Sequence, residues 1–140
     1  MNNPFAVVSG LVIGSVINFG LITVGMSMYP LPEGIDGSDM EAVREAMKHM
    51  APESFVFPLL GHGLGTLVGA FVTALLAKTR RTRLAMAIGI AFLIGGILMI
   101  RNCGGPLWYV MADLALAYLP MAALGAFVAG KIRRDPIVTE

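Results

Sequence analysis

At 140 residues the chain suits a single domain, yet 56% of it is hydrophobic and only 14% charged. Soluble proteins average roughly 45–50% and about 25%, and a water-soluble fold of this size has too little interior to hide so much apolar surface. A net charge of +1 offers no bulk attraction for nucleic acid, so that class of partner is set aside; the lone Cys103 excludes an internal disulfide, and no CxxC or Cys/His spacing marks a zinc site.

Four apolar stretches meet the length needed to cross a bilayer, about 20 residues at 1.5 Å rise each. The first covers residues 5–28, "FAVVSGLVIGSVINFGLITVGMSM". Its leading "MNNP" has no Lys or Arg, its apolar region is too long for a signal peptide, and no A-x-A-like site follows, so it is expected to be a retained span. Gly10, Gly14 and Asn18 recur along it at every fourth position.

A loop, residues 29–54, follows. It is acidic, with Glu33, Asp36, Asp39, Glu41, Glu45 and Glu53 against Arg44 and Lys48. "YPLPEG" reads as a turn, and "SDMEAVREAMKHMAP" reads as a short helix over about residues 39–50. Ser38 and Glu41 have capping-box spacing, and Pro52 is expected to end the run. Met40, Val43, Met47 and Met50 share one face, with Glu41, Arg44, Glu45 and Lys48 opposite. Such a helix would lie on the outer interface or cover the mouth of the bundle.

The second span, residues 55–77, carries "GHGLGTLVGA". Gly61, Gly65 and Gly69 form one stripe that Thr73 extends, a double GxxxG pattern. In lipid, helices associate through close van der Waals approach, which small residues permit. The stripe Gly10, Gly14, Gly61, Gly65 and Gly69 is therefore expected to be a packing seam. The alternative weighed against it is that glycine lets two packings coexist, as a transporter requires.

The third span, residues 84–100, is wholly apolar and contains Gly89, Gly95 and Gly96; the fourth, residues 106–130, contains Asp113 and Pro120, and Pro120 is expected to kink it. "KTRRTR" between spans two and three and Lys131, Arg133 and Arg134 after span four place seven of ten basic residues on one side. By the positive-inside rule that side is cytoplasmic, as are both termini. Arg101, at the opposite end of span three, is outvoted.

The strongly polar residues within the spans gather in the outer half. His62 and Asp113 each lie about seven residues, or about 10 Å, from the outer ends of their spans; Asn18 is about one turn deeper. Facing lipid, Asp113 would cost on the order of 3 kcal/mol or more, so a contact with His62 is expected. Asn18 or Thr66 is the further partner, with Arg101 competing from above. These groups serve either as packing glue or as a proton-responsive pocket, since a histidine beside a carboxylate can titrate near neutral pH.

Other chemistry is sparse. Met47, His49 and Met50, with Met26, Met28 and Met40 nearby, are candidate soft-metal ligands because thioethers bind Cu(I); the plainer reading is an apolar helix face. No nucleophile–base pair, Walker loop, HExxH or paired carboxylates are visible, and no cofactor is implied.

"GHGLGTLVGAF", "KTRRTRLAMAIG", "FLIGG" and "ADLALAYLPMAALGAFVAG" together resemble a type of small four-span bacterial membrane protein, over roughly residues 55–130. The resemblance implies an inner-membrane protein and brings no activity with it. Span one lacks the embedded glutamate of small multidrug-resistance transporters, and the long loop and even topology do not match a fluoride channel. The expectation is an all-α four-transmembrane-helix bundle with a short amphipathic helix in the outer loop, one domain over residues 1–140 in a bacterial-type inner membrane. Its leading role is non-enzymatic: an outward-facing polar cluster serving self-association (a homo-oligomer) or a larger membrane complex. A small proton-linked transporter or channel subunit using Asp113 and His62 is the alternative, and outer-surface copper handling the second.

Overall fold

With no water to bond to, a backbone in hydrocarbon must close its own hydrogen bonds, and a helix does this within one segment. The computed structural model, which describes residues 3–133, is all-helical, with no strand among the described residues. Its helices are α1 (Asn3–Met28), α2 (Met40–Met47), α3 (Val56–Leu76), α4 (Arg81–Cys103), α5 (Leu107–Leu116) and α6 (Leu119–Arg133), with a 3₁₀ turn, Pro52–Phe55, leading into α3. Four segments are long and apolar enough to cross a membrane: Asn3–Met28, Pro52–Leu76, Arg81–Cys103 and Leu107–Arg133. Arg134 and the last residues of the chain lie outside the described residues.

Three boundaries differ from the sequence reading for physical reasons. The third long helix runs about one turn beyond its apolar stretch at each end, because Arg81, Arg83 and Arg101 are good helix formers that reach past the apolar zone. The fourth is broken rather than merely kinked. Pro120 has no N–H and its ring crowds the carbonyl four residues back, so regular pairing stops at Ala117, whose N–H still donates to the Asp113 carbonyl at 3.0 Å. It resumes with Ala122 N–H donating to the Tyr118 carbonyl at 2.8 Å. The loop helix is shorter than the expected 39–50 and is capped by Asp39, not Ser38. The Asp39 carboxylate accepts from the N–H groups of Glu41 (3.0 Å) and Ala42 (3.1 Å), where the helix dipole favours a negative charge. Ser38 is engaged elsewhere: its N–H and hydroxyl both donate to Asp36 at 2.8 Å, which holds the Asp36 carboxyl below its ordinary range.

α3 is the hub. Half of its span is buried, against 17% for α1 and 22% for α4, so the other helices lie around it and turn apolar faces outward. Against α1 it meets glycine with glycine. A Cβ on Gly65 would stand 2.7 Å from the Gly14 carbonyl oxygen, and one on Gly69 2.8 Å from that of Gly10. A Cβ on Gly10 would overlap the Thr73 hydroxyl and the Gly69 carbonyl. The Thr73 hydroxyl itself donates to the Ala6 carbonyl at 3.3 Å. On its other side α3 approaches α6 through Gly125, where a Cβ would collide with the Leu67 carbonyl. The interior between α3, α4 and α6 is correspondingly fine-grained: Ala70, Ala74, Ala85, Ile88, Ala122 and Ala129.

The start of α1, the α3–α4 link and the end of α6 share one end of the bundle. Asn3 accepts from Lys78 N–H at 3.0 Å and donates to Thr79 Oγ1 at 2.8 Å. The Arg133 guanidinium donates to the Leu75 and Ala77 carbonyls at 2.6 and 3.0 Å, satisfying groups that the end of α3 leaves open. α2 covers the opposite end. Val43 and Ala46 are buried, Arg44 Nε donates to the Asn102 carbonyl at 3.3 Å, and Lys48 pairs with Glu45 on the exposed face at 2.5 Å.

Candidate functional site

His62 sits on α3 between Gly61 and Gly63; a Cβ on Gly61 would stand 3.0 Å from the Asn18 carbonyl oxygen, so the missing side chain there lets α1 come close. Two turns into α5 lies Asp113, fully buried. The two meet: His62 Nδ1 is 2.7 Å from Asp113 Oδ1. A third member, Tyr118, donates its hydroxyl to Asp113 Oδ2 at 2.7 Å, and its oxygen lies 3.0 Å from His62 Nδ1. A carboxylate only accepts, so the proton between His62 and Asp113 belongs on Nδ1. Both Asp113 oxygens are thereby satisfied, as a buried charge requires.

The sequence places Tyr118 deep in span four, able to face Asn18 or Thr66; the structure puts it on Asp113 and His62 instead. At five residues beyond Asp113 it would point well away from that side chain on a regular helix. The break at Ala117 turns it inward, and Pro120 was the signal that could have located it. Gly96 of α4 makes room: a Cβ there would overlap the Tyr118 hydroxyl.

The remaining expected members divide. Asn18 joins the site from α1. Its Oδ1 is buried without a hydrogen-bond partner, pressed against Gly61, whose Cβ position is 3.0 Å away. Thr66 is buried one turn below His62, but its hydroxyl donates to the His62 carbonyl at 2.7 Å and so braces the backbone rather than the ring. Arg101 is not brought in. It is exposed and shares a surface hollow with Arg44 and Lys48, while Asp113 lies about 9 Å down α5 from its first residue. Nor do Met47, His49 and Met50 converge as a trio. Met47 and Met50 line an apolar cavity beneath α2, whereas His49 points to Glu45, 3.6 Å away on the exposed side.

The cluster borders a crevice of about 360 Å³ between α1 and α4. His62, Asn18 and Tyr118 line it together with Ser15, and its flanks are apolar, among them Phe19 and Met99. Asp113 and Tyr118 occupy the Nδ1 side of the imidazole, and among the described residues no group bonds Nε2. Nε2 is thus the ring atom left for whatever enters. In the neutral ring it is a hydrogen-bond acceptor and a proton acceptor.

The chain is thus an all-helical fold with four segments long and apolar enough to cross a membrane, packed around a buried carboxylate–imidazole–phenol cluster. Comparisons of the chain with protein families, with curated proteins and with solved structures find no match. The resemblance to small four-span bacterial membrane proteins therefore stands on the quoted motifs alone.

Proposed function

We propose that the chain is a non-enzymatic multi-pass protein of a bacterial-type inner membrane whose His62–Asp113–Tyr118 cluster binds and releases a proton, as a small proton-linked transporter or channel subunit does. One observation carries this reading. The imidazole is held by its Nδ1 side, and His62 lines a crevice together with Asn18, whose side-chain oxygen is buried without a partner. Packing glue closes its hydrogen bonds; this cluster leaves two polar groups open. A proton arriving at Nε2 turns the pair from anionic to neutral without breaking the Nδ1–Asp113 contact.

The orientation rests on Lys78, Arg80, Arg81, Arg83, Lys131 and Arg133, which gather at the end opposite α2. The positive-inside rule assigns that end to the cytoplasm and the α2 end to the outside. The crevice then lies in the outer half of the spans.

Proteoliposomes loaded with a pH-sensitive dye test the reading. A pH gradient should collapse faster in vesicles holding the wild-type chain than in empty ones, and His62→Ala should slow the protein-dependent collapse about a hundredfold or more, the order that a positioned proton-transfer group contributes. A self-associating bundle, or a subunit of a larger complex that uses the cluster only as glue, predicts wild-type flux no higher than that of empty vesicles. Equal flux through wild type and His62→Ala also contradicts the proposal.

A further inference from the structure

A second void, of about 320 Å³, lies beneath α2 where the loop helix covers the bundle end. Its lining is unusual in sulfur. Met26 from α1, Met40 and Met47 from α2, Met50 from the following turn, and Met99 and Cys103 from α4 all border it. These are five of the ten methionines of the chain together with its only cysteine. They come from four separate segments, so helical periodicity in one element does not account for the gathering. Two of the sulfurs are already close: Cys103 Sγ lies 3.9 Å from Met99 Sδ, a spacing that two ligands of one ion can share.

We infer that this cavity is a binding site for a soft monovalent cation of the Cu(I) class, with Cys103 as the thiolate and the methionines as thioether donors. Softness selects the element: thioether and thiolate sulfur favour Cu(I), whereas hard cations take oxygen ligands. Charge selects the valence. One thiolate and one monovalent ion make a neutral complex, while a divalent ion would leave an uncompensated charge in an apolar cavity. On binding, the Cys103 S–H bond gives way to a sulfur–metal bond, and the proton leaves to solvent. The α2 lid supplies Met40 and Met47, so binding also ties the loop helix to the bundle. Met99 borders both this void and the crevice that holds His62, and the two spaces share that wall. His49, exposed and beside Glu45, takes no part.

The test uses the full chain in detergent without oxygen, titrated with Cu(I) against a chromophoric Cu(I) chelator. The expected result is one ion held per chain, with a sulfur-only coordination shell by X-ray absorption. Met→Leu is close to volume-conserving and preserves apolar packing. Met47→Leu and Met99→Leu should each weaken retention by about tenfold or more, the order seen when a metal site loses a supporting group, and adding Cys103→Ser should abolish it. Met28→Leu and Met111→Leu, at positions that do not line the cavity, should bind as wild type does. Failure of the wild-type chain to hold Cu(I) against the chelator overturns the inference. So does a shell containing imidazole nitrogen, or equal retention by the cavity variants and the off-cavity controls.

Discussion

Gly65→Leu separates α1 from α3 and lowers the stability of the bundle by about 3 kcal/mol or more, at the upper end of what overpacking costs in well-packed interiors. The neighbour is what makes the effect large. A Cβ at Gly65 stands 2.7 Å from the Gly14 carbonyl oxygen and 3.0 Å from Asn18 Cβ, so backbone, rather than a movable side-chain tip, must give way. Even Gly65→Ala forces the helices apart. Gly14→Leu should act alike from the other side, because its Cβ would stand 2.6 Å from the Gly65 carbonyl. Gly20 and Gly130 are the controls. Nothing lies within 4 Å of a Cβ at either position, so leucine there is neutral or slightly stabilising through its helix propensity. Reversible unfolding in detergent, read as a shift in midpoint across the four variants, measures the difference. Equal shifts at Gly65 and Gly20 would mean that the α1–α3 approach is looser than described.

Asp113→Ala is expected to cost about 3–5 kcal/mol, the range for removing one partner of a buried pair. The loss is large because Asp113 accepts from two groups at once, His62 Nδ1–H and the Tyr118 hydroxyl; without it the Tyr118 O–H is left buried with no acceptor, and His62 Nδ1–H keeps only the Tyr118 oxygen at 3.0 Å. Asp113→Asn keeps one acceptor oxygen and its loss should be smaller, about 1–3 kcal/mol, the penalty of one unsatisfied buried group. Removing the histidine as well should restore part of the loss. In a double-mutant cycle with His62→Leu and Asp113→Leu, the two changes should cost less together than in sum, with a coupling within about 0.5–3 kcal/mol. Additive losses would show that the two side chains do not interact in the folded protein.

Much of this architecture was legible because lipid restricts a chain so strongly. Span length, the glycine spacing of residues 10, 14, 61, 65 and 69, and the shared depth of His62 and Asp113 are one-dimensional quantities that a sequence displays directly. What it hid was rotational. Tyr118 joins the cluster only because the helix breaks at Ala117, and Arg101 leaves it because α4 extends past its apolar stretch into the exposed end. Likewise, Asp39 rather than Ser38 caps α2, since Asp36 already engages Ser38 two residues away. The sulfur-lined void was invisible for a related reason: Met26, Met50 and Met99 are far apart in sequence, and only the fold of the loop over the bundle end brings them to one cavity.

The account depends most on the side of the His62 ring that Asp113 holds. Nitrogen-15 NMR of the protein in lipid reads this directly, with only His49 and His62 to assign. The result expected is a neutral His62 ring whose proton sits on Nδ1, facing Asp113, with Nε2 bare. A neutral His62 with its proton on Nε2 and Nδ1 bare would place the carboxylate elsewhere and contradict the account.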